Sequence, residues 1–237
     1  MRVSCVCVCV CVCVCVSLCH NFVNARMSVP VLPPLPASVY EPSDDSFLFL
    51  DVLEDQRSFL TLFFAHRSAA LVTLELGGGS GVLSAALLSH ISGAFHLVID
   101  INPEACATCQ ATMVLNQVAP RSQIIQGDLA ACVQPGTIDV LLFNPPYVPT
   151  DDDELSRADD VAAAWAGGHL GRRVLDRLLA EQLDALMTDK AVVYILAVED
   201  NRPQEIMAQL RAMRFRCDIV MQRKARNERL LVIRAQR

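Results

Sequence analysis

The amino-acid sequence predicts a doubly wound α/β domain built on a seven-stranded sheet, with a short helical extension before it. Apolar strand-like runs alternate with segments of helical spacing from residue 70 onward, as a parallel sheet covered on both faces requires, and a glycine-rich turn follows the first run. Of the 237 residues, 53% are hydrophobic and 19% are charged, which is typical of a globular domain with a large core. We therefore expect one domain, at residues 38–237.

Each element follows from a local pattern. Ser46–Phe64 carries apolar residues at helical spacing and is predicted as a helix ahead of the sheet. Pro103 and Pro203 suit the first turn of a helix, where the missing N–H is not needed. The other predicted helices are Gly81–His90, Pro103–Gln117, Arg172–Met187 and Pro203–Met213. The predicted strands are Leu71–Leu76, Phe95–Asp100, Ser122–Gln126, Ile138–Phe143, Ala191–Val198, residues 215–220 and Leu230–Ile233.

Residues 1–37 are predicted to be a low-complexity or extended segment that is disordered or artefactual. From Cys5 to Val16 the chain alternates Cys and Val, as translation of a TG repeat would. Our hypothesis is that residues 1–26 are such an artefact and that Met27 is the true start. The run matches a signal peptide only loosely, and as an exposed strand it would favour aggregation. Residues 27–37 are proline-rich and predicted to be an extended arm.

The net charge, the cysteine positions and the hydropathy argue against several classes of protein. A net charge of -6 argues against broad electrostatic binding to nucleic acid. Cys106 and Cys109 have the spacing of a redox or metal site, but they fall inside a predicted helix without a second ligand pair, so no metal is expected. No stretch of about 18 apolar residues follows the N-terminal run, so no transmembrane helix is predicted. We expect a reducing compartment, the cytoplasm, with the nucleus as a second location.

Acidic residues and glycines at successive strand ends predict a nucleoside site. The first strand runs into Glu75 and a turn that contains Gly77 and Gly79, where the backbone can approach a ligand. Asp100 ends the second strand, where a carboxylate can bind ribose hydroxyls, and Asp128 follows the third. Together they place a nucleoside across the switch point of the sheet.

NAD and S-adenosylmethionine both fit this geometry. The dinucleotide pattern G-x-G-x-x-G is not met, because Val82 or Ser84 stands at its last position. Glu75 would repel a pyrophosphate but suits the cationic groups of S-adenosylmethionine. The residues therefore favour a methyl donor.

The motif Asn144-Pro145-Pro146-Tyr147 after the fourth strand predicts a site for a planar amino group. Proline has no N–H, so this loop presents carbonyl acceptors. Asn144 adds a side-chain acceptor and Tyr147 a flat face. Glutamine amides and the exocyclic amines of adenine and cytosine fit this description.

From residue 38 to about 235 the chain resembles the HemK-like glutamine-N5 methyltransferases, most closely the eukaryotic branch that modifies class I release factors. The motifs that carry the resemblance are Ser38–Phe47, Glu75–Gly81, Asp100–Glu104, Asp128-Leu129, Asn144–Tyr147 and Ala164–Gly168. It implies the class I S-adenosylmethionine-dependent methyltransferase fold. It also implies contacts to the cofactor from Ser46, Glu75, Gly77, Gly79, Asp100, Asp128 and Leu129. Gly78 and Ser46 stand where relatives often have Ser and Thr, a difference expected to leave the site intact.

The resemblance further implies a substrate and a partner. The substrate would be a glutamine of a class I release factor, bound by Asn144, Pro146 and Tyr147, with Asn144, Pro145 and Tyr147 as the catalytic group. Asn144 and the Pro145 carbonyl would accept the two amide hydrogens, and no strong base is required. The partner would be a small zinc-binding activator that forms an obligate heterodimer by extending the sheet at the third strand, around Ile124-Ile125.

Several alternatives remain open from the residues alone. The chain could be a DNA adenine or protein lysine methyltransferase, a nicotinamide oxidoreductase, or a binding module without catalysis. Trp165 is either a core anchor or a substrate contact, and the acidic run Asp151–Glu154 is either a solvated loop or a docking surface. His169 is interpreted as a loop residue. Without its partner the chain is expected to be poorly soluble.

Overall fold

A seven-stranded sheet forms the centre of the protein in the computed structural model, which describes residues 29–151, 165–225 and 228–237. The strands are β1 (Leu71–Leu76), β2 (Ala94–Asp100), β3 (Ser122–Gln126), β4 (Ile138–Phe143), β5 (Met187–Val198), β6 (Arg216–Ala225) and β7 (Glu228–Gln236). Their order across the sheet is β3-β2-β1-β4-β5-β7-β6. The first five strands are parallel, and β7 runs antiparallel to both of its neighbours.

Helices cover both faces of this sheet. They are α1 (Asp44–Phe63), α2 (Val82–His90), α3 (Pro103–Leu115), α4 (Arg173–Glu181), the single turn α5 (Leu183–Leu186) and α6 (Pro203–Ala212). Leu141 of β4 packs with α4 and α6, whereas Val140 and Leu142 pack with α1 and α2. Successive side chains of a strand point to opposite faces of the sheet. Because helices cover both faces, every residue of β4 is buried.

The predicted α/β fold and its seven strands are confirmed, with corrections to the strand directions and to the bounds of several elements, among them β7, which spans Glu228–Gln236 rather than Leu230–Ile233. The sheet is mixed rather than wholly parallel, because only residues 226–227 separate β6 from β7 and so short a connection permits only an antiparallel pair. The helix predicted at Arg172–Met187 ends at Glu181, and after α5 the chain enters β5 at Met187 rather than at Ala191. Strand β6 extends beyond residue 220, to Ala225.

The arm before α1 lies against the domain. Residues 29–35 have no regular secondary structure. The backbone N–H of Val31 donates to Oδ1 of Asn116 at 2.9 Å, and Nδ2 of Asn116 donates to the Val31 carbonyl at 2.8 Å. Residues 1–28, including the Cys-Val run and Met27, lie outside the described residues. Among the helices that the structure describes, none combines the length and apolar character needed to cross a membrane.

Candidate active site

The carboxyl ends of the central parallel strands meet at one edge of the sheet. Leu76 of β1 pairs with Ile99 of β2 on one side and with Phe143 of β4 on the other. The residues that follow these positions are the glycine turn, Asp100 and Asn144. Parallel packing therefore brings together the segments predicted to bind a nucleoside and an amino group.

The glycine turn after β1 is held by Asp100. Gly77 and Gly79 have φ angles of 69° and 52°, in the left-handed region that favours glycine. The N–H of Gly79 donates to Oδ2 of Asp100 at 2.9 Å, and the N–H of Asn102 donates to its Oδ1 at 2.9 Å. The carboxyl group of Asp100 thus joins the turn to the end of β2.

Gly78 is packed closely by its neighbours. A Cβ at this position would lie 2.2 Å from Cγ1 of Val98 and 2.9 Å from Sγ of Cys109. Cys109 is buried, and its thiol donates to the Gly79 carbonyl at 3.3 Å. With glycine at 78 the turn forms as expected, but Val98 and Cys109 fill the space that a serine would need.

Glu75 begins a buried chain of hydrogen bonds beneath the turn. Its carboxyl group accepts from Oγ of Ser84, Oγ of Ser84 lies 2.7 Å from Nε2 of His96, and Nδ1 of His96 lies 2.7 Å from Oγ1 of Thr73. All four residues are buried. Burial raises the pKa of Glu75 to about 8, with Asp100 adding to the rise, and burial lowers the pKa of His96 to about 3. The side chains of Glu75 and His96 in this hydrogen-bonded series are therefore both uncharged at neutral pH.

The raised pKa of Glu75 predicts a pH-dependent stability. Between about pH 4.5 and pH 8 the folded chain keeps a proton on Glu75 that the unfolded chain releases, so the free energy of unfolding falls as pH rises. The glutamine in Glu75→Gln does not titrate, so we expect this variant to lose the part of the pH-dependent decrease in the free energy of unfolding that Glu75 causes. Urea unfolding of both proteins at about pH 5 and about pH 8.5 measures the difference. If the free energy of unfolding fell by the same amount between the two pH values in wild type and variant, a protonated Glu75 would be contradicted.

Only one of the two polar groups of the Asn144 side chain has a hydrogen-bond partner among the described residues. Its Nδ2 donates to Oδ2 of Asp45 at 2.8 Å. Its Oδ1 is buried and has no hydrogen-bond partner among the residues that the structure describes. An unpaired buried acceptor is costly, so this atom is suited to receive an N–H from a ligand.

Tyr147 lies beside Asn144 and is held as a neutral phenol. Its ring is 9% exposed, and its hydroxyl donates to Oε1 of Glu228 at 3.4 Å. Burial raises the pKa of Tyr147 well above its ordinary value, and the nearby carboxyl groups of Asp45 and Glu228 add to this. Tyr147 therefore offers an aromatic face and not a base.

The segment after the Asn-Pro-Pro-Tyr loop pairs with residues 165–168, the described part of the Ala164–Gly168 motif. The N–H of Val148 donates to the Trp165 carbonyl at 3.0 Å, and the N–H of Gly167 donates back to the Val148 carbonyl at 2.8 Å. Trp165 is only partly buried, and Ala164 lies outside the described residues, as do residues 152–154 of the acidic run. This pairing, rather than the loop alone, sets the path of the chain beyond Tyr147.

Asn201 is a site residue that sequence reasoning missed. It is 1% exposed, and its Nδ2 donates to the carbonyls of Tyr147 and Leu170, at 2.8 Å each. Its Oδ1 accepts from the N–H of Val198 at 2.8 Å. Its position just after β5, at the same sheet edge, was the signal that could have found it.

The remaining predicted site residues are spread around this edge. Ser46 is buried and donates to Oδ1 of Asp45 at 3.3 Å, which places it next to Asn144. Asp128 is exposed and pairs with Arg177 at 2.8 Å. Leu129 is buried with a φ of 51°, an uncommon conformation for a branched side chain. Asp45, Tyr40 and Glu228 surround the loop but were not predicted as site residues.

Comparison with known proteins places this geometry in context. The family model described as "Methyltransferase small domain" matches residues 53–170. The chain is 38% identical over 202 residues to the Mus musculus "Methyltransferase HEMK2", covering 83% of this chain and 88% of that protein. It is 34% identical over 209 residues to the Schizosaccharomyces pombe "eRF1 methyltransferase catalytic subunit mtq2", covering 84% and 89%.

A solved structure shares the fold. The E. cuniculi Mtq2-Trm112 complex, described as responsible for methylation of the eRF1 translation termination factor, superposes with a TM-score of 0.63 at 26% identity. The match covers 84% of this chain and 99% of that chain.

Proposed function

Because the chain belongs to the HemK-like glutamine methyltransferases, in the release-factor branch, we propose that it methylates the side-chain amide nitrogen of a glutamine in a class I release factor. The methyl donor we propose is S-adenosylmethionine. One observation of the structure carries the substrate assignment: Oδ1 of Asn144, at the carboxyl end of β4, is buried and has no partner within the described part of the chain. It can accept an N–H from an amide.

The residues at the glycine turn fit the proposed cofactor. A Cβ at Gly77 or at Gly79 would meet no heavy atom within 4 Å, so ligand atoms can approach the backbone there. Glu75 lies beside the turn, and no ion pair of the described residues includes it. We propose that the cofactor is held by Ser46, Glu75, Gly77, Gly79, Asp100, Asp128 and Leu129. When bound, S-adenosylmethionine supplies an electrophilic methyl group on a positively charged sulfur.

Two of these residues adjust to a ligand in different ways. A cation beside Glu75 favours its ionised form, so binding would release the proton that burial keeps there. Asp128 is paired with Arg177, but an ion pair between two half-exposed side chains contributes little to stability. Asp128 can therefore exchange Arg177 for a ligand group at small cost.

The loop after β4 would prepare the substrate nitrogen. An amide nitrogen is a poor nucleophile because its lone pair is delocalised. If Oδ1 of Asn144 and the Pro145 carbonyl accept its two hydrogens, they orient the nitrogen and favour its pyramidal form in the transition state. Pro146 and Tyr147 would line the amide, with the Tyr147 ring stacked on it. Once nitrogen gains its fourth bond its proton becomes acidic and would pass to water, so a strong base is not needed.

Methyl transfer from labelled S-adenosylmethionine tests this function. The chain, co-expressed with the activator, would be offered a release factor and duplex DNA in parallel. Label on the release factor supports the proposal, and replacement of the acceptor glutamine by alanine should abolish it. Label confined to DNA would instead assign the chain to adenine methylation. Label that survives loss of the glutamine and disappears with a lysine would assign it to lysine methylation.

We further propose that a small zinc-binding activator pairs with β3. This strand forms one edge of the sheet and β6 forms the other. Added strands bind through main-chain hydrogen bonds at an exposed edge, and the side chains of Ile124 and Ile125 are only partly buried. A heterodimer formed this way would act where release factors act, in the cytoplasm. Imaging of the tagged chain tests that location.

Hydrogen exchange tests which of the two edge strands, β3 or β6, pairs with the activator. In the complex we expect slower exchange of backbone amides in Ser122–Gln126 than in the chain alone, because pairing protects them from water. The amides of Arg216–Ala225 at the opposite edge serve as the internal control and should be unchanged. Protection of β6 rather than β3 would contradict this placement.

A further inference from the structure

Asp45 is a buried acid that touches the substrate loop. It lies in the first turn of α1 and is 3% exposed. Its Oδ1 accepts from the hydroxyls of Tyr40 at 3.2 Å and Ser46 at 3.3 Å, and its Oδ2 accepts from Nδ2 of Asn144 at 2.8 Å. None of the ion pairs formed by described residues includes it. Hydrogen bonds and the helix N-terminus stabilise this carboxylate.

These contacts determine which way the Asn144 amide faces. A carboxylate only accepts hydrogen bonds, whereas a carboxamide has a donor end and an acceptor end. Oδ2 of Asp45 therefore selects the Nδ2 end of Asn144. The opposite end, Oδ1, is then turned away from Asp45, and this buried atom has no hydrogen-bond partner in residues 29–151, 165–225 and 228–237.

We propose that Asp45 is a positioning residue that holds the Asn144 carboxamide with its oxygen toward the substrate, so that the site accepts N–H groups and excludes carbonyl oxygens. This inference rests on the proposed function and deepens it, because it explains how the loop distinguishes the –NH₂ end of a glutamine side chain from its C=O end. The two ends have nearly the same shape, so only the direction of the hydrogen bond separates them.

Tyr40 and Ser46 make the orientation sensitive to the chemistry of residue 45. Burial, with Asp45 adding, raises the pKa of Tyr40 to about 12, so the phenol stays protonated and remains a donor. In Asp45→Asn the two hydroxyls hold the amide oxygen of residue 45, which directs its –NH₂ group at Asn144. Asn144 must then turn over to accept, and it presents its own –NH₂ to the substrate.

The test compares Asp45→Asn with Asp44→Asn. Both remove one carboxylate from the first turn of α1, but Asp44 is exposed and has no hydrogen bond to Asn144 among the contacts of the described residues. For Asp45→Asn in complex with the activator, we expect kcat/KM for the release factor to fall on the order of tenfold to a hundredfold. Calorimetry should show cofactor affinity within about threefold of wild type. Asp44→Asn should keep wild-type values.

A double-variant cycle separates positioning from a general structural role. If Asp45 acts through Asn144, adding Asp45→Asn to Asn144→Ala should cause no further loss of kcat/KM. Multiplied losses would overturn the proposal, because they would show that Asp45 acts independently of Asn144. Wild-type activity in Asp45→Asn would overturn it as well.

A second readout needs no substrate. In the ¹⁵N-labelled complex, the Asn144 side-chain amide signals, assigned by their loss in Asn144→Ala, should move in Asp45→Asn and stay in place in Asp44→Asn. Unmoved signals in Asp45→Asn would overturn the positioning role. If wild type fails to label the release factor, the proposed function fails, and these signals still decide whether Asp45 orients Asn144.

Discussion

Asn144→Ala is expected to lower kcat/KM for methyl transfer to the release factor by about a hundredfold or more, which corresponds to about 3 kcal/mol of transition-state stabilisation. The change removes the acceptor Oδ1, the buried atom that has no partner among the described residues. Steady-state kinetics of the activator complex measures the loss. Cofactor affinity should be unchanged, because among the described residues the Asn144 side chain hydrogen-bonds to Asp45 and to none of the residues proposed to hold the cofactor.

Asn116→Ala is the matched control for this prediction. Asn116 is also partly buried and hydrogen-bonded through its side chain, but its partners are the arm at Val31 and the last turn of α3. We expect its kcat/KM to stay within about twofold of wild type. A fully active Asn144→Ala enzyme would remove the Asn-Pro-Pro-Tyr loop from the mechanism.

Gly171→Ala is expected to destabilise the fold and to inactivate the enzyme. A Cβ at residue 171 would lie 1.8 Å from the Tyr147 carbonyl oxygen and 2.6 Å from Nδ2 of Asn201, and φ is 65°. The overlap with a backbone atom can be relieved only by moving the loop. We expect a loss of about 3 kcal/mol or more in the free energy of unfolding. The melting temperature should fall by roughly 6–12 °C.

Gly136→Ala is the control that separates the steric contact between residue 171 and the Tyr147 carbonyl from the effect of backbone conformation. Gly136 has nearly the same conformation, with φ of 68°, but its Cβ would meet no heavy atom within 4 Å. It should cost only about 1 kcal/mol, the penalty for a left-handed residue. Calorimetric melting of both variants decides between the two effects. Equal losses would show that the contact with Tyr147 does not matter.

The strands and the cofactor turn could be predicted because their causes are local. A run such as Ile138–Phe143 is apolar throughout because both of its faces are buried, and periodicity reports that directly. Gly77 and Gly79 adopt positive φ, which few other residues tolerate, so their spacing marks the turn. The antiparallel direction of β7 was missed, since apolar pattern carries no information about strand direction.

What the sequence by itself determined is the order of the strands along the chain, the position of the glycine turn and the acceptor character of the Asn144–Tyr147 loop. Tertiary structure alone decided the partners of that loop. Asp45 lies 99 residues from Asn144, Asn201 lies 54 from Tyr147, and Glu228 lies 81 from Tyr147. Each reaches the loop only because α1 packs against β4, β5 ends at the same end of the sheet as β4, and β7, antiparallel to β5, begins at that end. A hydrogen bond depends on distance in space, and local sequence pattern does not contain that distance.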